Sequence, residues 1–239
     1  MTRNVLVTGA SSGIGLAIAA RFGADGDQVV ITARRAELLA RSAETIGARG
    51  IACDATDPDQ VAELVTRLPE HVDVLVNNAG GNTDFDRATP TDLRSFADAW
   101  RANLDANLLS AALVTEALRN RLAAGGSVVH IGSIAADKGA GSYGAAKAAL
   151  ASWSIGLSAE LGPRGVTSNV VAPGYIEHTE FFRDRMSDER RTSLIDAAHD
   201  RRAGSVEDVV GAVHFLASAD ARHVSGQVLH VNGGAFVTR

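Results

Sequence analysis

Tyr143 and Lys147 are the two side chains whose types and spacing most directly suggest chemistry. They lie four residues apart in the stretch SYGAAKAAL (142–150), in a chain that has two tyrosines, two lysines and twenty-one arginines. Positions four apart share one face of a helix, so an ammonium group would lie beside a phenol. A nearby positive charge favours the phenolate and lowers the pKa of a tyrosine from its usual value of ~10. The pair could therefore give and take a proton, although the spacing alone also allows a surface helix with an unrelated Tyr and Lys.

Short apolar runs alternate with longer Ala- and Leu-rich stretches, and this alternation indicates the elements that must position such a pair. We predict strands at 4–8, 28–33, 50–53, 72–78, 127–133, 166–172 and 227–233, and helices near 13–24, 35–47, 57–68, 92–124, 143–161 and 205–218. Several of the strand runs are almost continuous Val, Leu and Ile, which is typical of strands buried on both faces. The sequence therefore predicts an α/β fold with a doubly wound parallel sheet of about seven strands and helices on both faces.

Three glycines follow the first predicted strand and open the first helix, in TGASSGIG at residues 8–15. Gly9 would permit the tight turn, Gly13 would let a pyrophosphate approach the backbone, and Gly15 would let the helix pack closely on the sheet. The N-terminus of the helix would then present free N–H groups and a favourable dipole to an anion. This context favours a dinucleotide site over a glycine-rich turn that binds no ligand.

Two arginines stand where the second predicted strand ends. Sites that prefer NAD usually have Asp or Glu there to bind the ribose hydroxyls, but this chain has Ala33 followed by Arg34 and Arg35. A guanidinium can pair with a 2′-phosphate through two charge-assisted hydrogen bonds, and the Ser12 hydroxyl could add another. The sequence favours NADP(H), with NAD(H) as the other candidate; two solvated arginines at the start of a helix are the alternative interpretation.

These motifs and several others, in their order along the chain, resemble the short-chain dehydrogenase/reductase family. The resemblance covers essentially the whole chain and rests on TGASSGIG (8–15), CDATD (53–57), NNAG (77–80), LDANLLSA (104–111), HIGSIAA (130–136), the Tyr143 and Lys147 pair, NVVAPGYIEHTEFF (169–182) and VSGQVLHVNGG (224–234). It implies a single-domain Rossmann fold over residues 1–239.

The resemblance also implies roles for particular residues. Tyr143 would be the general acid in carbonyl reduction and the base in alcohol oxidation, and Lys147 would tune it and bond the nicotinamide ribose. Ser133 would stabilise the substrate oxygen, and Asn107 would order a water that leads to Lys147. The residues expected at the cofactor are Gly9, Ser11, Ser12, Gly13, Ile14, Gly15, Arg34, Arg35, Asp54, Ala55, Asn78, Ala79, Gly80, Tyr143, Lys147, Pro173, Gly174, Ile176 and Thr179.

Two spacings depart from the family's pattern. Ser133 and Tyr143 are ten residues apart instead of about thirteen, which a shortened loop at 135–141 would explain. Thr179 lies one position later than usual after the Pro-Gly pair. The segment 175–204, which is charged and interrupts the alternation of strands and helices, is expected to be a substrate lid that is mobile without ligand. A permanently packed helical insertion is the alternative.

The composition limits the classes of function that the chain can have. A net charge of −5 offers no basic surface for nucleic acid, and no apolar run is long enough to span a membrane. Cys53 is the single cysteine and cannot form an internal disulfide, and the first residues lead directly into a strand without a signal peptide. We therefore expect a cytoplasmic protein. The histidines are scattered without metal-ligand spacing, so no metal is expected.

These observations together predict an NADP(H)-dependent oxidoreductase that reduces a small-molecule carbonyl to a secondary alcohol by hydride transfer, similar to 3-oxoacyl-[acyl-carrier-protein] reductases. A dehydrogenase of a secondary alcohol, sugar or steroid is the alternative among enzymes. A non-catalytic dinucleotide-sensing protein is the alternative from another class. The resemblance also implies a homotetramer or homodimer. The residues identify neither the substrate nor the direction of the reaction, and they leave the role of His178 open.

Overall fold

Seven strands form one sheet in which every pair of neighbours is parallel. The computed structural model describes residues 2–183 and 185–238. Met1 and Arg239 lie outside the described residues, and so does Asp184, which belongs to the expected lid. The strands are β1 (Asn4–Thr8), β2 (Gln28–Ala33), β3 (Arg49–Ala52), β4 (Val72–Asn77), β5 (Leu122–Ile131), β6 (Thr167–Pro173) and β7 (Val228–Val231), and their order is β3-β2-β1-β4-β5-β6-β7. The order reverses between β1 and β4, which leaves a crevice at their carboxyl ends.

Helices cover both faces of this sheet. They are α1 (Gly13–Ala24), α2 (Ala36–Thr45), α3 (Pro58–Thr66), α4 (Leu93–Leu104), α5 (Ser110–Leu118), α6 (Ala135–Lys138), α7 (Gly141–Leu161), α8 (Asp188–Asp196) and α9 (Val206–Leu216). One core lies under α1, α2 and α9, and the other lies under α3, α5 and α7. Along β1, Val5 and Val7 join the first core and Leu6 joins the second, because successive strand residues point to opposite faces. This explains why the strands are apolar on both faces.

Local signals in the sequence start several of these helices. α3 begins at Asp57, which accepts hydrogen bonds from two backbone N–H groups of the first turn, and Pro58 stands at its first position. α9 begins at a capping box in which the Ser205 hydroxyl accepts from the Asp208 N–H and the Asp208 carboxylate accepts from the Ser205 N–H. Among the helices of the described residues, none combines the length and the apolar character needed to cross a membrane.

The prediction of one long helix over 92–124 is wrong in two places. α4 ends at Leu104, one π-helical turn follows at Asp105–Leu109, and α5 stops at Leu118. Residues 122–124 belong instead to β5, whose pairing with β4 changes register between Val72 and Val74. The stretch LAAGG has a low strand propensity, so its pairing with a neighbouring strand cannot be recognised from its own residues.

Two further helices occupy segments without a predicted element. The shortened loop at 135–141 contains the single turn α6, which ends at Gly139 with a left-handed φ of 69°. The expected lid contains α8, none of whose side chains is fully buried. The remaining predicted elements agree with the structure to within a few residues at each end.

Candidate functional site

A cavity of about 1250 Å³ runs across the carboxyl ends of the strands. Its walls come from the loops that follow β1 to β6 and from α7. It therefore lies where the reversal of strand order predicts a ligand.

The glycine loop between β1 and α1 forms one wall of this cavity. Gly13 has a φ of 56°, and a Cβ added there would find no neighbour closer than the Thr179 Cβ at 4.0 Å, so its backbone is open to the cavity. Ser12 precedes α1, but its side chain caps no N–H group, and the first turn has no acidic residue. The N–H groups of this helix N-terminus are therefore available to an anion, and the loop fits the pyrophosphate of a dinucleotide.

The loop that follows β4 holds the glycine loop in place. The Asn78 side-chain nitrogen donates to the carbonyls of Thr8 and Gly9 at 3.0 and 2.9 Å, and the Thr8 hydroxyl accepts from the N–H groups of Asn78 and Ala79. A Cβ added to Gly9 would lie 2.6 Å from the Ala79 Cα, so only glycine allows this approach. The NNAG segment thus supports the phosphate loop as well as lining the cavity.

The end of the cavity beyond β2 carries positive charge. Arg34 and Arg35 both line it, and Arg35 donates to a carboxylate oxygen of Glu180 at 3.2 Å. The Ser12 hydroxyl donates to the same oxygen at 3.5 Å. A carboxylate from the segment after β6 therefore stands between two of the groups that the sequence assigned to a 2′-phosphate.

Ser133, Tyr143 and Lys147 come together at the other end of the cavity, between β5 and α7. Tyr143 and Lys147 are buried, with 6% and 4% exposure. The Lys147 Nζ donates to the Ile131 carbonyl at 2.7 Å and lies 5.9 Å from the centre of the Tyr143 ring. The Ser133 hydroxyl is close enough to Tyr143 to lower its pKa. The shortened loop therefore keeps Ser133 and Tyr143 in contact.

Burial, and not the neighbouring ammonium, dominates the pKa of Tyr143. It raises this pKa to about 12, and the Ser133 hydroxyl opposes the effect only in part. Burial also lowers the pKa of Lys147 from 10.5 to about 8. The net lowering predicted for the pKa of Tyr143 therefore does not occur in this structure, because desolvation disfavours the charged form of each group. At neutral pH the phenol is protonated and most of the ammonium is charged.

Asn107 lies behind the cavity wall, in the π-helical turn that joins α4 to α5. Its side-chain nitrogen donates to the carbonyls of Gly81 and Asn103, both at 2.9 Å, and its oxygen accepts from the Gly81 N–H at 3.0 Å. Asn103 bonds in turn to the Thr83 N–H and the Ser142 hydroxyl. Both amides hold the loop after β4 against α7, and the expected role of Asn107 in ordering a water stays a prediction. Single π-helical turns are frequent at functional sites.

Aromatic side chains close the cavity opposite α7. The ring of Phe181, in the segment after β6, is centred 5.6 Å from the Tyr143 ring and 5.8 Å from that of Phe85. Arg183 pairs with both carboxylate oxygens of Asp86, at 2.7 Å each. The segment after β6 and the loop after β4 therefore meet across the mouth of the cavity. The space next to Tyr143 suits an apolar group attached to a reacting carbonyl.

All the residues predicted at the cofactor line this one cavity, namely Gly9, Ser11, Ser12, Gly13, Ile14, Gly15, Arg34, Arg35, Asp54, Ala55, Asn78, Ala79, Gly80, Tyr143, Lys147, Pro173, Gly174, Ile176 and Thr179. Ser133 lines it too, whereas Asn107 does not. The His178 side chain is 88% exposed and does not line the cavity.

Sequence reasoning missed Phe85, Asp86, Lys138 and Glu180, which also line the cavity. Phe85 and Asp86 lie in a segment without a recognisable motif, Lys138 ends α6, and Glu180 lies in the motif at 169–182. Their place at the cavity depends on how these segments fold over the sheet. The phenylalanine inside the polar stretch GNTDFDRATP (81–90) gave no usable signal, because single apolar residues in polar loops are common.

Comparison with known proteins identifies the family. Residues 9–235 match the family model described as enoyl-(acyl carrier protein) reductase. The chain is 40% identical over 241 residues to the 3-oxoacyl-[acyl-carrier-protein] reductase MabA of Mycobacterium avium, a match that covers 98% of this chain and 90% of the relative. The chain belongs to the short-chain dehydrogenase/reductase family. It is also 36% identical over 245 residues to the 3-oxoacyl-[acyl-carrier-protein] reductase FabG of Escherichia coli K12, covering 97% and 96% of the two chains.

Several solved structures share the fold. A blue fluorescent protein from a metagenomic library, in complex with NADPH, has a TM-score of 0.87 at 32% identity, with 98% of each chain covered. A short-chain dehydrogenase from Burkholderia cenocepacia J2315, in complex with NADP, has a TM-score of 0.82 at 34% identity, with 98% and 97% covered. The predicted resemblance and the Rossmann fold are confirmed. Family membership makes this short-chain dehydrogenase/reductase an oxidoreductase that acts on CH–OH groups.

Proposed function

We propose that the chain is an NADPH-dependent reductase that converts a ketone to a secondary alcohol, with 3-oxoacyl thioesters as its substrate class. The observation that carries the proposal is one continuous cavity. It has a phosphate loop and two arginines at one end, and Ser133, Tyr143 and Lys147 at the other. The names of the curated relatives support the substrate class, and the ligands of the solved relatives support the cofactor.

The residues present in the cavity fit NADP(H). The uncapped N-terminus of α1 would hold the pyrophosphate. Arg34 and Arg35 would hold the 2′-phosphate, and β2 ends at Ala33, so the strand end itself contributes no acid. The Glu180 carboxylate, which bonds to Arg35, would have to give up this contact when the phosphate binds. Lys147 uses one of its three donors on a carbonyl of β5 and keeps two for the ribose hydroxyls. When bound there, the nicotinamide supplies the hydride that reduction requires.

Reduction also requires a proton at the carbonyl oxygen, and Tyr143 is the group that would deliver it. Its phenol is protonated at neutral pH because burial raises its pKa to about 12. The Ser133 hydroxyl would donate a hydrogen bond to the same oxygen and stabilise the negative charge that develops there. As the proton leaves, the Lys147 ammonium would stabilise the phenolate. A proton taken up from solvent would then restore Tyr143.

The raised pKa of Tyr143 also bears on the direction of the reaction. A dehydrogenase of a secondary alcohol, sugar or steroid would use the same residues in reverse, but it would need the phenolate as its base. A protonated phenol supplies the acid that reduction needs at neutral pH. Reduction of an enoyl group, which the description of the family model names, places the hydride on a C=C bond and is a separate outcome of the assay below. A non-catalytic dinucleotide sensor would leave the assembled Ser133, Tyr143 and Lys147 unexplained.

The exposed apolar side chains support assembly into a homodimer or homotetramer. Phe96 and Trp100 on α4 form a contacting pair with 51% and 37% exposure, and Ile155 on α7 is 58% exposed. Such side chains on long helices could pair across a two-fold axis. We also propose a cytoplasmic location, because Cys53 is the single cysteine of the sequence and cannot form an internal disulfide, which suits a reducing compartment.

Loss of NADPH absorbance in the presence of a substrate panel tests the function. The panel contains a 3-oxoacyl thioester, an enoyl thioester, a steroid ketone and a keto sugar, each with NADPH and with NADH. We expect turnover of the 3-oxoacyl thioester with NADPH. Turnover of the enoyl thioester alone, or equal dissociation constants for NADPH and NADH, would contradict the proposal.

Tyr143→Phe tests the mechanism in the same assay. It should leave NADPH affinity nearly unchanged and reduce turnover by ~10²-fold or more, which is the scale of general acid catalysis. Tyr175→Phe removes the hydroxyl of the other tyrosine and is the matched control, with turnover expected near that of the unaltered protein. Near-normal turnover of Tyr143→Phe on a good substrate would show that the assigned proton donor is wrong.

A further inference from the structure

Gly144, the residue after Tyr143, is covered by the backbone of α6. A Cβ added to Gly144 would lie 2.5 Å from the Ala135 carbonyl oxygen and 3.5 Å from the Ala140 Cβ. A side chain cannot approach a backbone oxygen so closely, so α6 and α7 can dock as they do only with glycine at this position.

Ala135 is in turn bonded to Ser133. The Ala135 N–H donates to the Ser133 hydroxyl oxygen at 3.1 Å, and the Ala136 N–H donates to the Ser133 carbonyl at 3.1 Å. Because the hydroxyl oxygen accepts from a backbone group, its own hydrogen is free to point into the cavity. A displacement of Ala135 would therefore move the Ser133 hydroxyl.

The short connection between α6 and α7 leaves no slack to absorb such a displacement. Only Gly139 and Ala140 join the two helices, and Gly139 has a left-handed φ of 69°. The Ala140 N–H donates back to the Ala135 carbonyl at 3.3 Å, and the Gly144 N–H donates to the Ala140 carbonyl at 2.9 Å. The Ala140 N–H thus holds the Ala135 carbonyl at the place where a Cβ on Gly144 would enter, and Ala140 is itself bonded to Gly144.

We propose that Gly144 is a positioning residue for the reduction. Its missing side chain lets α6 dock on α7, and the docked Ala135 amide holds the Ser133 hydroxyl beside Tyr143. Gly144 touches neither substrate nor cofactor and acts through Ser133. The inference rests on the proposed function, because that function gives Ser133 and Tyr143 their roles.

Gly144→Ala tests the inference, with Gly156→Ala as the matched control. Both glycines lie on α7, but a Cβ on Gly156 would meet nothing within 4 Å. We expect Gly144→Ala to lower kcat by about 10- to 100-fold, the scale of a small displacement of a reacting group, with the dissociation constant for NADPH unchanged. Gly156→Ala should keep the kcat of the unaltered protein. An unchanged kcat for Gly144→Ala would overturn the inference.

A double-mutant cycle separates an effect through Ser133 from a general loss of structure. If Gly144 acts through Ser133, then Gly144→Ala should reduce kcat no further in a Ser133→Ala background. Multiplicative losses would overturn the inference. Normal kcat for Ser133→Ala and Tyr143→Phe would instead refute the proposed function, so the two failures are distinguishable.

Lengthening the connection provides a second variant should Gly144→Ala fail to fold. Three residues inserted between Gly139 and Ala140 would restore the family's spacing and release the Ala135 carbonyl from the Ala140 N–H. The carbonyl could then turn away from a Cβ on Gly144 while the Ala135 N–H keeps its bond to Ser133. In this background Gly144→Ala should have the same kcat as the insertion alone. A further loss of kcat would show that the contact with α6 is not the cause.

Discussion

Replacement of Lys147 by Met should make the folded protein slightly more stable at neutral pH although it destroys turnover. Burial lowers the pKa of the Lys147 ammonium from 10.5 to about 8. At about 1.36 kcal/mol per pKa unit, keeping this group charged at neutral pH costs the native state about 3 kcal/mol. Methionine has a similar length and carries no charge. It also removes the 2.7 Å hydrogen bond to the Ile131 carbonyl, a loss of about 1–3 kcal/mol. The expected net gain is between about 0 and 2 kcal/mol, from the difference of these two quantities.

The dependence on pH is a sharper test than the net gain. Between pH values of about 8 and 10.5, native Lys147 has released its proton while the unfolded chain still holds it. The free energy of unfolding of the unaltered protein therefore rises with pH in this window, by about 2 kcal/mol between about pH 7 and pH 9.5. The Met variant lacks this rise. Cys53 and Tyr143, whose pKa values burial raises to about 11 and about 12, act in the opposite sense in both proteins and cancel in the comparison.

Urea unfolding of both ligand-free proteins at the two pH values, at one protein concentration, measures the effect. Lys138→Met is the matched control, because Lys138 is exposed, and it should shift stability by no more than about 0.5 kcal/mol. The reasoning is refuted if the unfolding free energies of the unaltered protein and Lys147→Met differ by the same amount at both pH values.

Three further predictions concern the cofactor, the lid and assembly. Glu180→Gln removes the carboxylate that is bonded to Arg35, so it should tighten the binding of NADPH by about two- to fivefold, which corresponds to the energy of an exposed ion pair, and the binding of NADH by less. Arg34→Asp should flatten or reverse the preference for NADPH over NADH. Fluorescence titration measures the dissociation constants of both variants for NADPH and NADH. An unchanged NADPH affinity in Glu180→Gln would exclude competition between the Glu180 carboxylate and the 2′-phosphate for Arg35. Segment 175–204 should exchange its amide hydrogens rapidly in the free protein and slowly with NADPH; strong protection without ligand would favour the packed insertion instead. Light scattering at micromolar concentration should give a dimer or tetramer mass, and a monomer mass would contradict assembly through α4 and α7.

Much of the fold and the site could be predicted from residues that are close together along the chain. Each of three local features indicates one property of the site. The glycine loop indicates a tight turn, the end of β2 at Ala33 lacks the acid of an NAD site, and the spacing of Tyr143 and Lys147 places them on one helix face. Buried parallel strands show as continuous apolar runs for the same reason, since both faces need cover. These signals predicted the parallel sheet and the part of the cavity wall that would hold the cofactor.

The features that remained hidden depend on groups far apart in sequence. The end of α5 at Leu118 is followed by the pairing of Leu122 with Val72 of β4, which no local propensity of LAAGG indicates. The upward shift in the pKa of Tyr143 comes from burial by surrounding elements, and it reverses the effect expected from the nearby Lys147. The approach of Ala135 to Gly144 exists only once α6 has docked on α7. Desolvation and close contact are properties of packing, so spacing along the chain predicts which groups meet but not the environment in which they meet.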